Sequence, residues 1–119
     1  MTEDRGTGRT KRQLEEAVKL AQAGQRVVYV WPVGRSIGYP MNLAAAIAAP
    51  DKMEGGRRAM RYGSGEILFR SASSEPSGLE AFAGKVIFDH AARDFMRDRV
   101  FANWNRIARG AARRAGLPA

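Results

Sequence analysis

Arg26–Trp31 reads RVVYVW and is followed at once by Pro32. It is β-branched and aromatic, short, and apolar on both of its alternating sides. A strand facing solvent on one side would alternate apolar with polar residues. An unbroken apolar run is the profile of a strand covered on both faces, as in a parallel sheet. The stretch before it, Lys11–Ala23, has helical period. Leu14, Ala17, Val18 and Ala21 fall at i, i+3, i+4 and i+7, with Glu15, Glu16, Lys19 and Gln22 on the other side. Thr10 is placed to cap that helix and Gly24 to end it. A helix leading into a doubly buried strand sets the expectation of an α/β fold.

Further along, Pro40–Ala49 (PMNLAAAIAA) predicts a short helix, since proline suits a first helical turn. Glu66–Arg70 (EILFR) and Lys85–Asp89 (KVIFD) predict two more strands. Leu79–Ala83 predicts one helical turn closed by Gly84. Ala91–Ala115 predicts a long C-terminal helix, with Met96, Val100, Trp104, Ile107 and Ala111 on one arc and Phe101 and Ala108 beside them. The charged, glycine-rich residues 50–64 predict a mobile loop, and residues 1–10 an N-terminal loop. The expected architecture is a small mainly parallel sheet of about three strands, in two or three layers, flanked by helices and carrying a long basic C-terminal helix.

The composition bounds what such a domain can do. At 119 residues it fits one domain. Cysteine is absent, which excludes disulfides, cysteine-ligated zinc and thiol nucleophiles, and the single His90 cannot build a zinc site alone. No apolar run approaches the roughly 20 residues that span a bilayer. Met1–Arg12 has no apolar core and does not read as a secretory leader. A cytoplasmic location is the expectation. Lys+Arg number 20 against 12 Asp+Glu, a net charge of +8 that attracts polyanions. A basic coding composition would give the same excess.

Two motifs carry candidate chemistry. Gly6-Thr7-Gly8-Arg9-Thr10 opens a helix. Glycines let backbone N–H groups approach a phosphate, the helix N-terminus favours negative charge, and a hydroxyl there can ligate Mg²⁺. A flexible N-terminus is the plainer reading. Val86-Ile87-Phe88-Asp89-His90 ends an apolar strand in a carboxylate. Ligands of open α/β sheets bind at that edge, so Asp89 either holds Mg²⁺ or caps the following helix. A third feature is the charge of the last segment, where seven arginines stand against Asp94 and Asp98. Arg99, Arg106, Arg109 and Arg113 are candidate contacts to nucleic-acid phosphates; a solvated helix face is the alternative. Arg57, Arg58 and Arg61 would extend that positive surface.

Together the first two motifs resemble the P-loop nucleoside triphosphatases, in a degenerate and shortened form. GTGRTKRQLEEAVKLAQAGQRVVYVWP resembles their phosphate loop, first helix and next strand. GEILFRSASSEPSGLEAFAGKVIFDHA resembles the segment of phage terminase and helicase-like ATPases that leads to their acidic, metal-binding strand. The resemblance runs from Gly6 to Ala92, with an unmatched insertion. It implies that Gly6, Thr7, Gly8, Arg9 and Thr10 face a triphosphate, with ATP and Mg²⁺ as cofactors and Asp89 and Thr10 on the metal.

The departures from the family are specific. Glu3 replaces the first glycine, and Arg9 the lysine. His90 stands where a water-orienting glutamate is common, and a histidine tucked at a strand–helix junction is the plainer reading of it. Only five residues precede Gly6, too few for the strand that launches such a loop. The sheet is then expected to lack its middle strand, unless another element of the chain, a partner or a second copy fills the place. The expected function is a phage-type accessory protein that binds a nucleotide or phosphate group, with weak or no hydrolysis. The alternatives are a sequence-nonspecific nucleic-acid-binding module, or an interaction or inhibitor protein acting on a host or phage machine.

Overall fold

The computed structural model describes residues 4–73, 76 and 78–118, with side chains from residue 8 onward. The quoted stretch forms β1 (Arg26–Trp31), with Val27, Val28, Tyr29 and Val30 fully buried. It lies between β4 (Gly65–Ser71) and β5 (Lys85–Phe88) and is parallel to both. These are the three strands legible in the sequence. Two more, β2 (Lys52–Glu54) and β3 (Ala59–Tyr62), extend the sheet antiparallel beyond β4, giving the order β2-β3-β4-β1-β5. The sheet is therefore mixed.

Residues 50–64 thus form a meander rather than a loop. Met60 and Tyr62 both point into the core, and Gly63 (φ 62°) and Ser64 make the two-residue turn into β4. The surrounding charges and glycines hide that short alternation. The ladder is also continuous, with β1 inside it. The expected gap in the middle of the sheet is absent among the described residues.

Helices cover both faces. On one side lie α1 (Asp4–Gln22) and α2 (Gly38–Ile47), packed through Leu14, Ala17, Val18, Ala21, Met41 and Ala44 onto Val27, Tyr29, Trp31, Ile67 and Phe69. The other side of β1, carrying Val28 and Val30, meets Leu79, Phe82, Trp104, Ile107 and Ala111. The result is three layers. Gly24 (φ 95°) ends α1, and the bonds Gly24 N–H to Ala21 and Gln25 N–H to Leu20 form a Schellman motif. That motif reverses the chain directly into β1.

Three helical expectations are corrected. α1 begins at Asp4, so Gly6–Thr10 lie inside its first turns and Thr10 is no N-cap. Propagating a helix from an anchored segment costs little per residue, which lets it run through two glycines. The C-terminal helix is two helices, α3 (His90–Phe95) and α4 (Asp98–Arg114). Met96 between them is extended and buries its side chain in the core. No Gly or Pro marks that break. Residues 79–82 form a turn closed by Phe82 N–H to Leu79 rather than a helical turn. No helix among the described residues is long and apolar enough to cross a membrane.

Candidate functional site

The C-terminal ends of β1, β4 and β5 lie at one edge of the sheet. α1 runs back antiparallel to β1, so its first half reaches the same edge. β5 ends there at Phe88, and Asp89 follows it directly at the position the sequence suggested. The carboxylate is fully buried and engaged through both oxygens. Oδ1 accepts from the Tyr29 hydroxyl at 2.5 Å, and Oδ2 accepts from the Ala91 N–H at 3.0 Å, capping α3. Of its two readings, the cap is the one visible in the structure. Burial first, then the Asp89 hydrogen bond and charge, raise the Tyr29 hydroxyl far above the ordinary tyrosine range.

A folded-state pKa above the unfolded one means a contribution that is complete below about pH 10 and lost as pH rises beyond it. Tyr62, also raised by burial, acts in the same direction. Denaturant midpoints are expected to hold to about pH 10 and then fall, and the fall should be shallower in Tyr29→Phe.

The next residue joins the two motifs. His90 Nε2 lies 3.1 Å from the Thr10 hydroxyl, and Thr10 is buried. The His90 N–H donates to Gln13 Oε1 at 2.8 Å, while Gln13 Nε2 donates to the Phe88 carbonyl at 2.7 Å. Gln13 therefore clips the outer edge of β5 with two bonds, in the manner of a neighbouring strand. Arg9, Arg12, Gln13, Glu16 and His90 line a cleft of about 280 Å³. Arg9 and Arg12 are exposed and in no ion pair among the described residues.

A second hollow of about 240 Å³ lies along the same edge. After β1 the chain turns to the face of α2; after β4 it crosses to the face of α4. Adjacent parallel strands whose connections leave to opposite faces open a crevice between them. Pro32, Val33, Arg35, Ala72, Ala92, Phe95 and Met96 line it. Phe95 is 74% and Val33 65% exposed, the largest values among the big apolar side chains, and the Arg35 guanidinium sits 5.8 Å from the Phe95 ring centre. Beside them Trp31 stacks on Tyr39 at 5.8 Å, its buried indole N–H having no acceptor among the described residues.

Of the sequence candidates, Arg9, Thr10, Asp89 and His90 are brought together. Gly8 is exposed one turn before Arg12. Gly6 and Thr7 fall on α1 outside the residues whose side chains are described. Thr10 and Asp89 are each held by other groups, and no cluster of three or more His, Asp or Glu side chains that would hold a metal occurs among the described residues. Arg99, Arg106, Arg109 and Arg113 lie apart, on α4. Gln13 carried no signal in the sequence. Tyr29 did: a hydroxyl inside a doubly buried strand requires an acceptor. Comparison of the chain with protein-family models, curated proteins and solved structures found no match.

Proposed function

We propose that this protein binds a small phosphate-bearing ligand of the nucleotide class at the C-terminal edge of its parallel strands. The observation that carries the reading is the pair of exposed arginines, Arg9 and Arg12, which share a cleft with His90 and lack an ion-pair partner among the described residues. Guanidinium groups pair with phosphate oxygens bidentately. Glu16, in the same cleft, offsets one positive charge, so an anion there is held by both arginines together. α3 connects the two hollows. Its first residue, His90, lines the cationic cleft, and its last, Phe95, lines the apolar one. Six residues of helix span about 9 Å, a length that suits a phosphate at one end and a ring at the other.

Binding with weak or no hydrolysis fits this arrangement best. Ligation of Mg²⁺ by Thr10 and Asp89 would first break the Thr10–His90 contact and the bonds that Asp89 accepts. A role as a phage-type accessory protein rests on the resemblance of residues 6–92 alone.

Calorimetric titration tests the reading. ATP and inorganic tripolyphosphate are both expected to bind. The double variant Arg9→Ala/Arg12→Ala should weaken both about 100-fold, as two charge-assisted hydrogen bonds at about 1.5 kcal/mol each. Phe95→Ala should weaken ATP and leave tripolyphosphate unchanged. No heat with either ligand in the wild type would refute the proposal.

A further inference from the structure

The arginines of α3 and α4 divide into those the fold uses and those it does not. Arg93 stacks on Phe101, 3.7 Å from the ring centre. Arg114 donates from Nε to the Phe82 carbonyl. By contrast, the side chains of Arg99, Arg106, Arg109 and Arg113 are exposed and make no ion pair, hydrogen bond or ring contact among the described residues. At about 100° per residue these four fall within an arc of about 80°, on the side of α4 away from Trp104, Ile107 and Ala111. The row is about 21 Å long at a rise of about 1.5 Å per residue. No acidic residue stands between Arg99 and Arg113.

Helix electrostatics do not account for the row. Arg113 in the last turn is favourable to the dipole, but Arg99 lies in the first turn, where positive charge is disfavoured. Arg106–Arg109 and Arg109–Arg113 are like-charged i,i+3 and i,i+4 pairs, which destabilise an isolated helix. A solvated face ordinarily mixes signs, as α1 does with Lys11 and Glu15 at 3.9 Å. A single-sign row on a rigid helix is an arrangement that a polyanion stabilises.

We infer that this face of α4 binds the phosphate backbone of duplex nucleic acid, without reading its sequence. The row's chemistry selects among polyanions. Only Ala102 interrupts the arginines within the arc, so there is no apolar centre of the kind a protein interface needs and no large side chain to enter a bilayer. No aromatic ring is exposed on it, Trp104 being buried, so stacking on unpaired bases is not provided. What remains is a straight set of cations matched to a rigid anion, and about 21 Å of duplex carries about a dozen phosphate charges. This surface is separate from the Arg9–Arg12 cleft and does not depend on it.

The test is fluorescence anisotropy with a random-sequence DNA duplex of about 20 base pairs over a salt series. Four neutralised phosphates give a slope of log K against log salt near −3.6. Arg106→Gln/Arg113→Gln is expected to bring the slope to about −1.8 and to weaken binding at least tenfold at about 50 mM salt. These are exposed positions, and unchanged circular dichroism would show that the variant folds. Arg9→Ala/Arg12→Ala should bind duplex as the wild type does. Absence of duplex binding at about 50 mM salt would overturn the inference. So would a slope unchanged by the double glutamine variant, or equal affinity for poly-glutamate or phosphatidylserine vesicles.

Discussion

Replacing Asp89 with alanine is expected to lower folding stability by about 3 kcal/mol, read from urea denaturation. About 1 kcal/mol comes from loss of the cap that Oδ2 provides to α3. About 2 kcal/mol comes from stranding the Tyr29 hydroxyl, which keeps its burial but loses its acceptor. For a domain whose whole stability is about 5–15 kcal/mol this is a large loss. Asp89→Asn retains one acceptor oxygen and should lose less, about 1 kcal/mol. An alanine variant within about 0.5 kcal/mol of the wild type would show that this carboxylate does not hold the β5–α3 junction. A group that fixes the fold this strongly positions His90 and the start of α3, and it does so through bonds that a metal ligand would have to surrender.

The second large effect is expected at Gly65. A Cβ there would lie 2.0 Å from the Ala21 carbonyl oxygen and 2.6 Å from that of Gln25. Both are backbone atoms, one in the last turn of α1 and the other in the link to β1, so no rotamer change relieves the contact. Gly65 also receives β3 through the Tyr62–Gly65 register pair and opens β4. Gly65→Ala must therefore push α1 from the sheet, at a cost of about 3 kcal/mol. Gly63→Ala, in the turn between β3 and β4 with nothing within 4 Å of its Cβ, should cost less, through backbone strain at φ 62° alone. Equal stability of the two variants would contradict the close packing of α1 on β4.

What could be read in advance followed from how much of each pattern one segment contains. RVVYVW announces a doubly buried strand by itself, and β1 is interior and covered on both faces. Leu14, Ala17, Val18 and Ala21 announce a buried helix face by spacing alone. β2 and β3 were hidden because their pairing depends on β4. Only Met60 and Tyr62 show alternation, within a run of glycines and arginines. The break at Met96 was hidden because the core residues on either side of it still fit one helical arc. At the site, Asp89 was visible as a strand-terminal carboxylate, but its partner Tyr29 lies 60 positions away. Gln13 was invisible. Its role comes from an amide matched in space to Phe88 and His90, and a lone glutamine on a helix carries no sign of that.

Phosphate is expected to bind between α1 and the β5–α3 junction. The most direct measurement is a heteronuclear NMR titration of the folded chain with inorganic tripolyphosphate. The largest shift changes are expected at the Arg9 and Arg12 side-chain N–H signals, the Gln13 side-chain amide and the His90 ring, the groups that line the cleft. Saturable changes confined to Arg99, Arg106, Arg109 and Arg113 on α4, or no change at the cleft at all, would contradict it.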